Sequence, residues 1–242
     1  MRKMFTAVFR PAPCVAVLLL FALSASSLHA APYPTDGQLR EALAGVAELA
    51  RSEGLELQVL DARKNGVTRP LMAAGLSTAS GACVVFYNAK PADILLPFFE
   101  RMAEADVPVW LRAIAVHEIT HCIEQREGYV LGRFDRILPP GMAHQGMTLQ
   151  GYVSVLRSGS VERWGEALAD IAAVLWLQKN LPADWRRFAA GLLALRDELG
   201  ERNPSHHTGP WLQSLLRADA PVPAEDSVFE AAFRLRGALH PN

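Results

Sequence analysis

Five consecutive residues, His-Glu-Ile-Thr-His at 117–121, carry the most chemical information in this 242-residue chain. Side chains four positions apart project from the same face of an α-helix, so His117 and His121 can both reach one metal ion. Glu118 lies one position further round the helix, where its carboxylate can contact a water at the metal instead of the metal itself. On a helix, this H-E-x-x-H pattern predicts a Zn²⁺ site with Glu118 as the general base.

The segment around the motif is predicted to be a buried helix. Residues 109–125 are apolar and helix-forming, Pro108 suits the first turn, and Gly128 is predicted to stop the helix. Glu118 is the only acidic or basic side chain in residues 113–123 apart from the two histidines. Such groups are costly to bury unless they are paired or bound to metal. The alternative is a helix with two satisfied histidines and a surface glutamate.

A second apolar helix is predicted at residues 161–177, and it carries Glu166 and Asp170 on one face. A zinc site with two histidines needs a third protein ligand, and a carboxylate on a buried helix is a suitable one. Glu162 lies one turn before Glu166 on the same face and is the alternative ligand. If this helix is instead amphipathic with its acids in solvent, it supplies no ligand.

Together the two motifs resemble those of the gluzincin type of zincin metallopeptidase, in which a glutamate on a second helix, within an E-x-x-x-D motif, completes the zinc site. Glu-Ala-Leu-Ala-Asp at 166–170 is similar to the E-x-x-A-D form of CAAX-protease-like and related bacterial peptidases. The resemblance implies that Glu166 is the third ligand and that Asp170 accepts a hydrogen bond from a ligand imidazole and orients it. It covers the two motif helices and not the whole chain.

The resemblance also implies a group across the cleft that stabilises the oxyanion of the reaction. In chain order the candidates are His206 and His207, with Tyr152 behind them. The alternative is that the two histidines belong to a polar loop that caps the next helix. His144, in a segment rich in Gly and Met, is expected on the surface.

The N-terminus has the pattern of a secretory signal peptide, with cleavage predicted after Ala30. Three basic residues precede an apolar run at 15–23, which is too short to cross a membrane. Residues 31–242 would then form one mature, mildly acidic domain in the periplasm or outside the cell. No nucleic-acid partner and no stable membrane insertion are expected. The alternative is an uncleaved N-terminal anchor.

Removal of this segment would leave two cysteines, Cys83 in a predicted strand at 82–87 and Cys122 directly after His121. A disulfide and two buried free thiols both stay open, because bridge geometry cannot be derived from the sequence. In zincins a strand beside the metal helix offers its edge to an extended substrate. A bridge between the two cysteines would fix the predicted strand to that helix.

The remaining sequence predicts an α+β, zincin-like fold with a small N-terminal sheet, the H-E-x-x-H helix and a mostly helical C-terminal half. A further strand is predicted at 55–60, a loop at 69–80, and a lip over the cleft at 128–160. The other predicted helices cover residues 38–51, 91–105, 149–156, 183–199, 209–218 and 227–237.

These patterns favour an exported zinc metallopeptidase that acts on a peptide or protein substrate. Two alternatives belong to other classes. One is an exported zinc-binding or protein-interaction domain without turnover, and the other is a metal-free helical interaction protein in which the motif is accidental.

Overall fold

The computed structural model describes residues 34–90, 96–156, 158–218 and 227–240. The predicted signal peptide lies outside these residues. The described chain is mixed α+β and mostly helical, with one small sheet. Its elements are α1 (Asp36–Ser52), β1 (Leu57–Asp61), β2 (Met72–Leu76), β3 (Cys83–Tyr87), α2 (Leu96–Glu100), α3 (Val107–Tyr129), α4 (Phe134–Ile137), α5 (Leu149–Val155), α6 (Gly159–Asn180), α7 (Trp185–Gly200), α8 (Gly209–Ala218) and α9 (Val228–Ala238).

The sheet has the strand order β1-β3-β2. The central strand β3 runs parallel to β1 and antiparallel to β2, with Cys83 opposite Leu57 on one side and Leu76 on the other. Strand β3 is therefore paired on both sides, whereas β1 and β2 each have an outer edge. The expectation that the strand containing Cys83 offers its edge to a substrate is wrong, because both of its edges are occupied.

The two motif helices lie against each other at the centre of the fold. Helix α3 contacts α1, β2, β3 and α6, and α6 also contacts α7, α8 and α9. The uncharged run of α6 from Ile171 to Leu175 is almost fully buried. Burial on all sides explains why both helices are apolar beyond a single face. Among the described residues, no helix has the length and apolar character needed to span a bilayer.

Helix α1 illustrates how local sequence fixes an element. The Thr35 hydroxyl accepts the Gln38 backbone N–H, and the Gln38 side chain accepts the Thr35 backbone N–H at 2.8 Å, which forms a capping box. The residues of α1 that pack on the core recur at helical spacing, three or four positions apart; they are Leu39, Leu43, Val46 and Ala50. The predicted helices at 109–125, 161–177, 183–199, 209–218 and 227–237 are likewise confirmed, with ends that differ by a few residues.

The loop predicted at 69–80 is wrong, because Met72–Leu76 forms strand β2. Its sequence, Met-Ala-Ala-Gly-Leu, has small side chains and little β-propensity. Strand β2 is extended because its backbone pairs with β3 along its whole length. A pairing partner remote in sequence therefore overrides the local preference.

Two other predicted elements differ in detail. Strand β1 begins two residues later than predicted, and it does not alternate between buried and exposed residues, since the neighbouring Gln58 and Val59 are both exposed. The described part of the predicted helix 91–105 is not continuous. It contains α2 and a separate 3₁₀ turn, Glu104–Asp106.

Gly128 does not stop the metal helix as predicted. Helix α3 continues to Tyr129, and Gly128 lies inside it. A Cβ at this position would lie 2.5 Å from the Ile137 side chain and 2.7 Å from the Tyr152 ring. The glycine is needed for close contact with α4 and α5. The predicted lip at 128–160 is accordingly built on a small apolar cluster of its own, formed by Ile137, Leu138, Tyr152 and Val161.

Candidate metal centre

Helix α3 brings the imidazoles of the motif together. The Nε2 atoms of His117 and His121 lie 3.2 Å apart, and their ring centroids are separated by 4.9 Å in an edge-to-face arrangement. Both side chains are mostly buried, at 12% and 20% exposure. The i, i+4 spacing thus aims two nitrogen atoms at one point.

Helix α6 supplies the third group. Glu166 Oε2 lies 3.6 Å from His117 Nε2, and Glu166 Oε1 lies 3.5 Å from His121 Nε2. One ligand atom from each of the three residues falls within 4.8 Å of the others, so together they could hold a metal ion. Glu162, the alternative ligand, lies outside this group and lines a neighbouring cavity.

The chemistry of these donors fits zinc. Two imidazole nitrogens and one carboxylate oxygen form a donor set of catalytic zinc sites, with the remaining position open. Glu166 Oε2 is buried and lacks a hydrogen-bond partner among the described residues, so it can still accept a bond from a metal ion. The guanidinium of Arg196 lies 3.1 Å from this oxygen without forming a hydrogen bond to it.

The charges in the group are strongly coupled. Burial opposes the His121 cation, but the hydrogen bond and charge of Glu166 outweigh burial and raise the pKa of His121 to about 9. Burial likewise opposes the Glu166 carboxylate, yet His121, His117 and Arg196 hold the pKa of Glu166 well below its ordinary value. Glu166 is therefore a negatively charged carboxylate that can bind a metal cation together with the two imidazoles.

Glu118 faces the sheet and also the set formed by His117, His121 and Glu166, which we call the metal group. Burial raises the pKa of its carboxyl above the ordinary value, against the opposing charges of His117 and His121. The backbone N–H of Ala74, on edge strand β2, donates to the Glu118 carboxylate. A raised pKa suits a group that accepts and returns a proton near neutral pH.

Asp170 holds the first histidine in place. Its Oδ1 lies 3.0 Å from His117 Nδ1, and the carboxylate is 1% exposed. A proton on Nδ1 leaves the Nε2 lone pair free to face the metal position. Burial opposes the Asp170 charge, but Arg196 and His117 lower the pKa of Asp170 to about 2.

Arg196 is one of the residues of the site that the sequence patterns did not identify. Its Nε and a terminal nitrogen donate to the two Asp170 oxygens at 2.7 and 2.6 Å, a bidentate pair. It lies between Leu192 and Leu199 on the buried face of α7. A charged residue within an apolar stripe is the signal that could have identified it. Thr208 was also missed; its hydroxyl donates to Asp170 Oδ2 at 2.5 Å.

Of the two candidate cleft histidines, His206 lies at the site. Its Nε2 is 3.8 Å from Glu166 Oε2, whereas His207 is exposed and packs against Gly200. Asn203 Nδ2 lies 2.8 Å from His206 Nδ1.

Asn203 and Ser205 hold the His206 ring in place. The Asn203 amide oxygen accepts the Ser205 backbone N–H, and Asn203 Nδ2 and Ser205 Oγ lie 2.8 and 3.1 Å from His206 Nδ1. His206 Nε2 therefore faces the candidate metal site. Tyr152 is buried on Gly128, and His144 is exposed as predicted.

Cys83 and Cys122 form a disulfide, with Cα atoms 5.5 Å apart. The bridge joins the centre of the sheet to α3, one residue after His121. It fixes the metal helix to β3, while β2 runs along the same helix and presents its outer edge.

Comparisons of the chain with protein-family models, with curated proteins and with solved structures find no match.

Proposed function

We propose that this protein is a zinc-dependent peptidase of gluzincin type. The observation that carries the proposal is that ligand atoms of His117, His121 and Glu166 lie within 4.8 Å of one another. One of the Glu166 oxygens is buried and has no hydrogen-bond partner among the described residues. Helical spacing explains the two histidines, but it does not explain a third candidate ligand from another helix, Glu166, which lies 45 residues after His121 in the chain.

Bound zinc would polarise a substrate carbonyl and lower the pKa of a water. Glu118 accepts a proton from the attacking water at its carboxylate and passes it to the leaving amine. His206 donates its Nε2 hydrogen to the developing oxyanion. Asp170 and Arg196 keep His117 and Glu166 oriented throughout.

Edge strand β2 supports a peptide as the substrate. Its Ala74 N–H meets Glu118, and its Leu76 N–H donates to the Gln125 side chain at 2.7 Å. An extended peptide binds such an edge through backbone hydrogen bonds, whatever its sequence. The Gln125 amide occupies a position that a peptide carbonyl would take.

Export is part of the proposal. The predicted N-terminal signal agrees with a disulfide beside the metal helix, because disulfides persist in oxidising compartments and are rare in reducing ones.

The test is the zinc-to-protein ratio of wild type, Glu166→Ala and Glu162→Ala, with hydrolysis of a peptide library by the zinc-loaded wild type and Glu118→Gln. We expect about one zinc per chain in wild type and Glu162→Ala, and a large loss in Glu166→Ala, because Glu166 alone of the two lies within reach of the histidines. Glu118→Gln should keep zinc and lose hydrolysis. Equal zinc in all three proteins, or full hydrolysis by Glu118→Gln, would contradict the proposal.

A further inference from the structure

A cavity of about 510 Å³ opens directly from the candidate metal centre. It lies between the C-terminal half of α3, α5, the start of α6 and the 3₁₀ turn Pro204–His206. His121, Glu166 and His206 belong to its lining as well as to the site. A substrate held at the metal group would therefore have one side chain facing this cavity.

One part of the cavity wall is apolar. Tyr129 and Tyr152 pack edge to face, with ring centroids 5.4 Å apart, and Ile137, Leu156 and Val161 complete the surface. Such a wall favours the aliphatic part of a side chain, since contact removes apolar surface from water.

The charged groups of the lining are acidic. Apart from the histidines, the ionised side chains that line the cavity are Glu124, Glu162 and Glu166, and no lysine or arginine of the described chain is among them. Glu166 belongs to the metal group. Glu124 is paired with buried Arg236 at 2.8 Å, which neutralises it.

Glu162 remains as the uncompensated charge. It is exposed, and no ion pair to it occurs within the described residues. The Tyr152 side chain, only 2% exposed, lines the same cavity. The Glu162 carboxylate can accept a hydrogen bond from a ligand that enters the cavity.

Assuming the proposed function, we infer that this cavity is the specificity pocket for a lysine or arginine next to the scissile bond, with Glu162 as the residue that pairs with its cation. Glu162 lies one turn before Glu166, a rise of about 6 Å along α6. A four-carbon stem can span this distance along the apolar wall while the backbone stays at the metal group. The tyrosine rings add a favourable surface for the cation.

Binding of two peptides that differ in one charge tests the inference. The probes are blocked Ala-Ala-X-Ala-Ala-Ala peptides with X as lysine or norleucine, titrated into zinc-supplied Glu118→Gln protein, which prevents turnover. We expect the lysine peptide to bind roughly tenfold tighter, which is the effect of one charge-assisted hydrogen bond. Adding Glu162→Gln should bring the two affinities within twofold.

The matched control is Glu104→Gln, which removes an exposed glutamate in the turn before α3, at the opposite end of that helix from the cavity. It should leave the tenfold ratio intact. The inference is overturned if the ratio is near one before Glu162 is changed, if Glu162→Gln does not alter it, or if neither peptide binds. A tighter norleucine complex in both proteins would identify an apolar pocket instead.

Failure of the proposed function has a different signature. Zinc-loaded wild type would then cleave neither these peptides nor a mixed library, while the affinity ratio could still be measured. Preferential lysine binding without cleavage would leave a peptide-binding pocket and refute the peptidase. Cleavage with no dependence on Glu162 would retain the peptidase and refute the pocket.

Discussion

Two buried arginines flank helix α6, and they differ in what they contact. Arg196 on α7 is 7% exposed, and Arg236 on α9 is 1% exposed. Arg196 contacts two carboxylates, Asp170 and Glu166, at the metal group. Arg236 contacts one carboxylate, Glu124, and donates to two backbone carbonyls, those of Trp164 and Arg136.

The pKa shifts of the two guanidinium groups have opposite signs. Burial opposes both cations, but Asp170 and Glu166 outweigh it and raise the pKa of Arg196. For Arg236 burial prevails over the attraction of Glu124, and the pKa falls below its ordinary value. Arg236 Nε also lacks a hydrogen-bond partner among the described residues.

This difference separates a positioning role from a structural one. The Arg196 charge is compensated by the groups that orient His117 and complete the ligand set, so changing Arg196 should alter the metal site. Arg236 ties the backbones of α4, α6 and α9 together and stacks on the Trp164 ring at 4.5 Å. Changing it should alter stability and leave the metal group in place.

The largest expected effect is that of Arg236→Met on folding. Removing one partner of a buried pair leaves Glu124 uncompensated and should lower the free energy of unfolding by about 3–5 kcal/mol. Denaturant unfolding monitored by tryptophan fluorescence measures it. Arg202→Met, at an exposed position after α7, is the control and should change stability by less than about 0.5 kcal/mol.

Zinc content of the folded Arg236→Met protein should match wild type. If this variant does not fold, Arg236→Lys retains a charge while losing the fork of donors, and the same comparison applies to it. A loss of stability below about 1 kcal/mol would mean that Arg236 is not the structural tie described above.

His206→Phe should have the next largest effect. It removes the side chain that we propose as the oxyanion donor, and kcat should fall about a hundredfold, or about 2.7 kcal/mol in transition-state stabilisation. KM and zinc content should stay near wild type. His207→Phe is the matched control, because His207 is exposed and packs on Gly200 next to the same turn, and kcat of this variant should change less than twofold. Equal losses in the two variants would place the donor elsewhere.

Arg196→Met should also destabilise the fold, because it leaves buried Asp170 without its bidentate partner, but its distinguishing effect is a smaller one on zinc binding. Loss of groups that orient metal ligands commonly costs 10- to 100-fold in metal affinity, which corresponds to about 1.4–2.7 kcal/mol. A competition titration with a chelator measures this change. Arg196→Lys should recover part of the affinity, since it restores a charge without the bidentate geometry.

Comparison of Arg196→Met with Arg236→Met then tests the distinction between the two arginines. Equal zinc affinities in both variants would show that Arg196, like Arg236, only stabilises the fold.

Sequence patterns predicted the helices of this protein better than its sheet. The segments that became α1, α3 and α6 carry capping residues or long apolar runs, which act within a few residues of one another. The Met-Ala-Ala-Gly-Leu strand carries no such signal, since its conformation depends on pairing with β3. Gly128 by itself predicts a helix stop, because the side chains of Ile137 and Tyr152 that require a glycine there come from later elements.

The residues of the candidate site likewise include some that the sequence could predict and some that it could not. His117, Glu118 and His121, and separately Glu166 and Asp170, could be grouped from the sequence because each set lies within one or two turns of a helix. Arg196, Asn203 and Thr208 could not, since their contacts to the site form only when α7 and the following turn pack against α6.

The sequence by itself determined which residues share a helix face, and with them the candidate metal ligands and the candidate general base. Helical periodicity is a local property, so a window of about five residues is sufficient to define it. Only the tertiary structure decided that the two helix faces meet, that Cys83 bonds to Cys122, and that His206 rather than His207 faces the metal group. These outcomes depend on distances between segments far apart in the chain, and those distances are set by packing of the whole core.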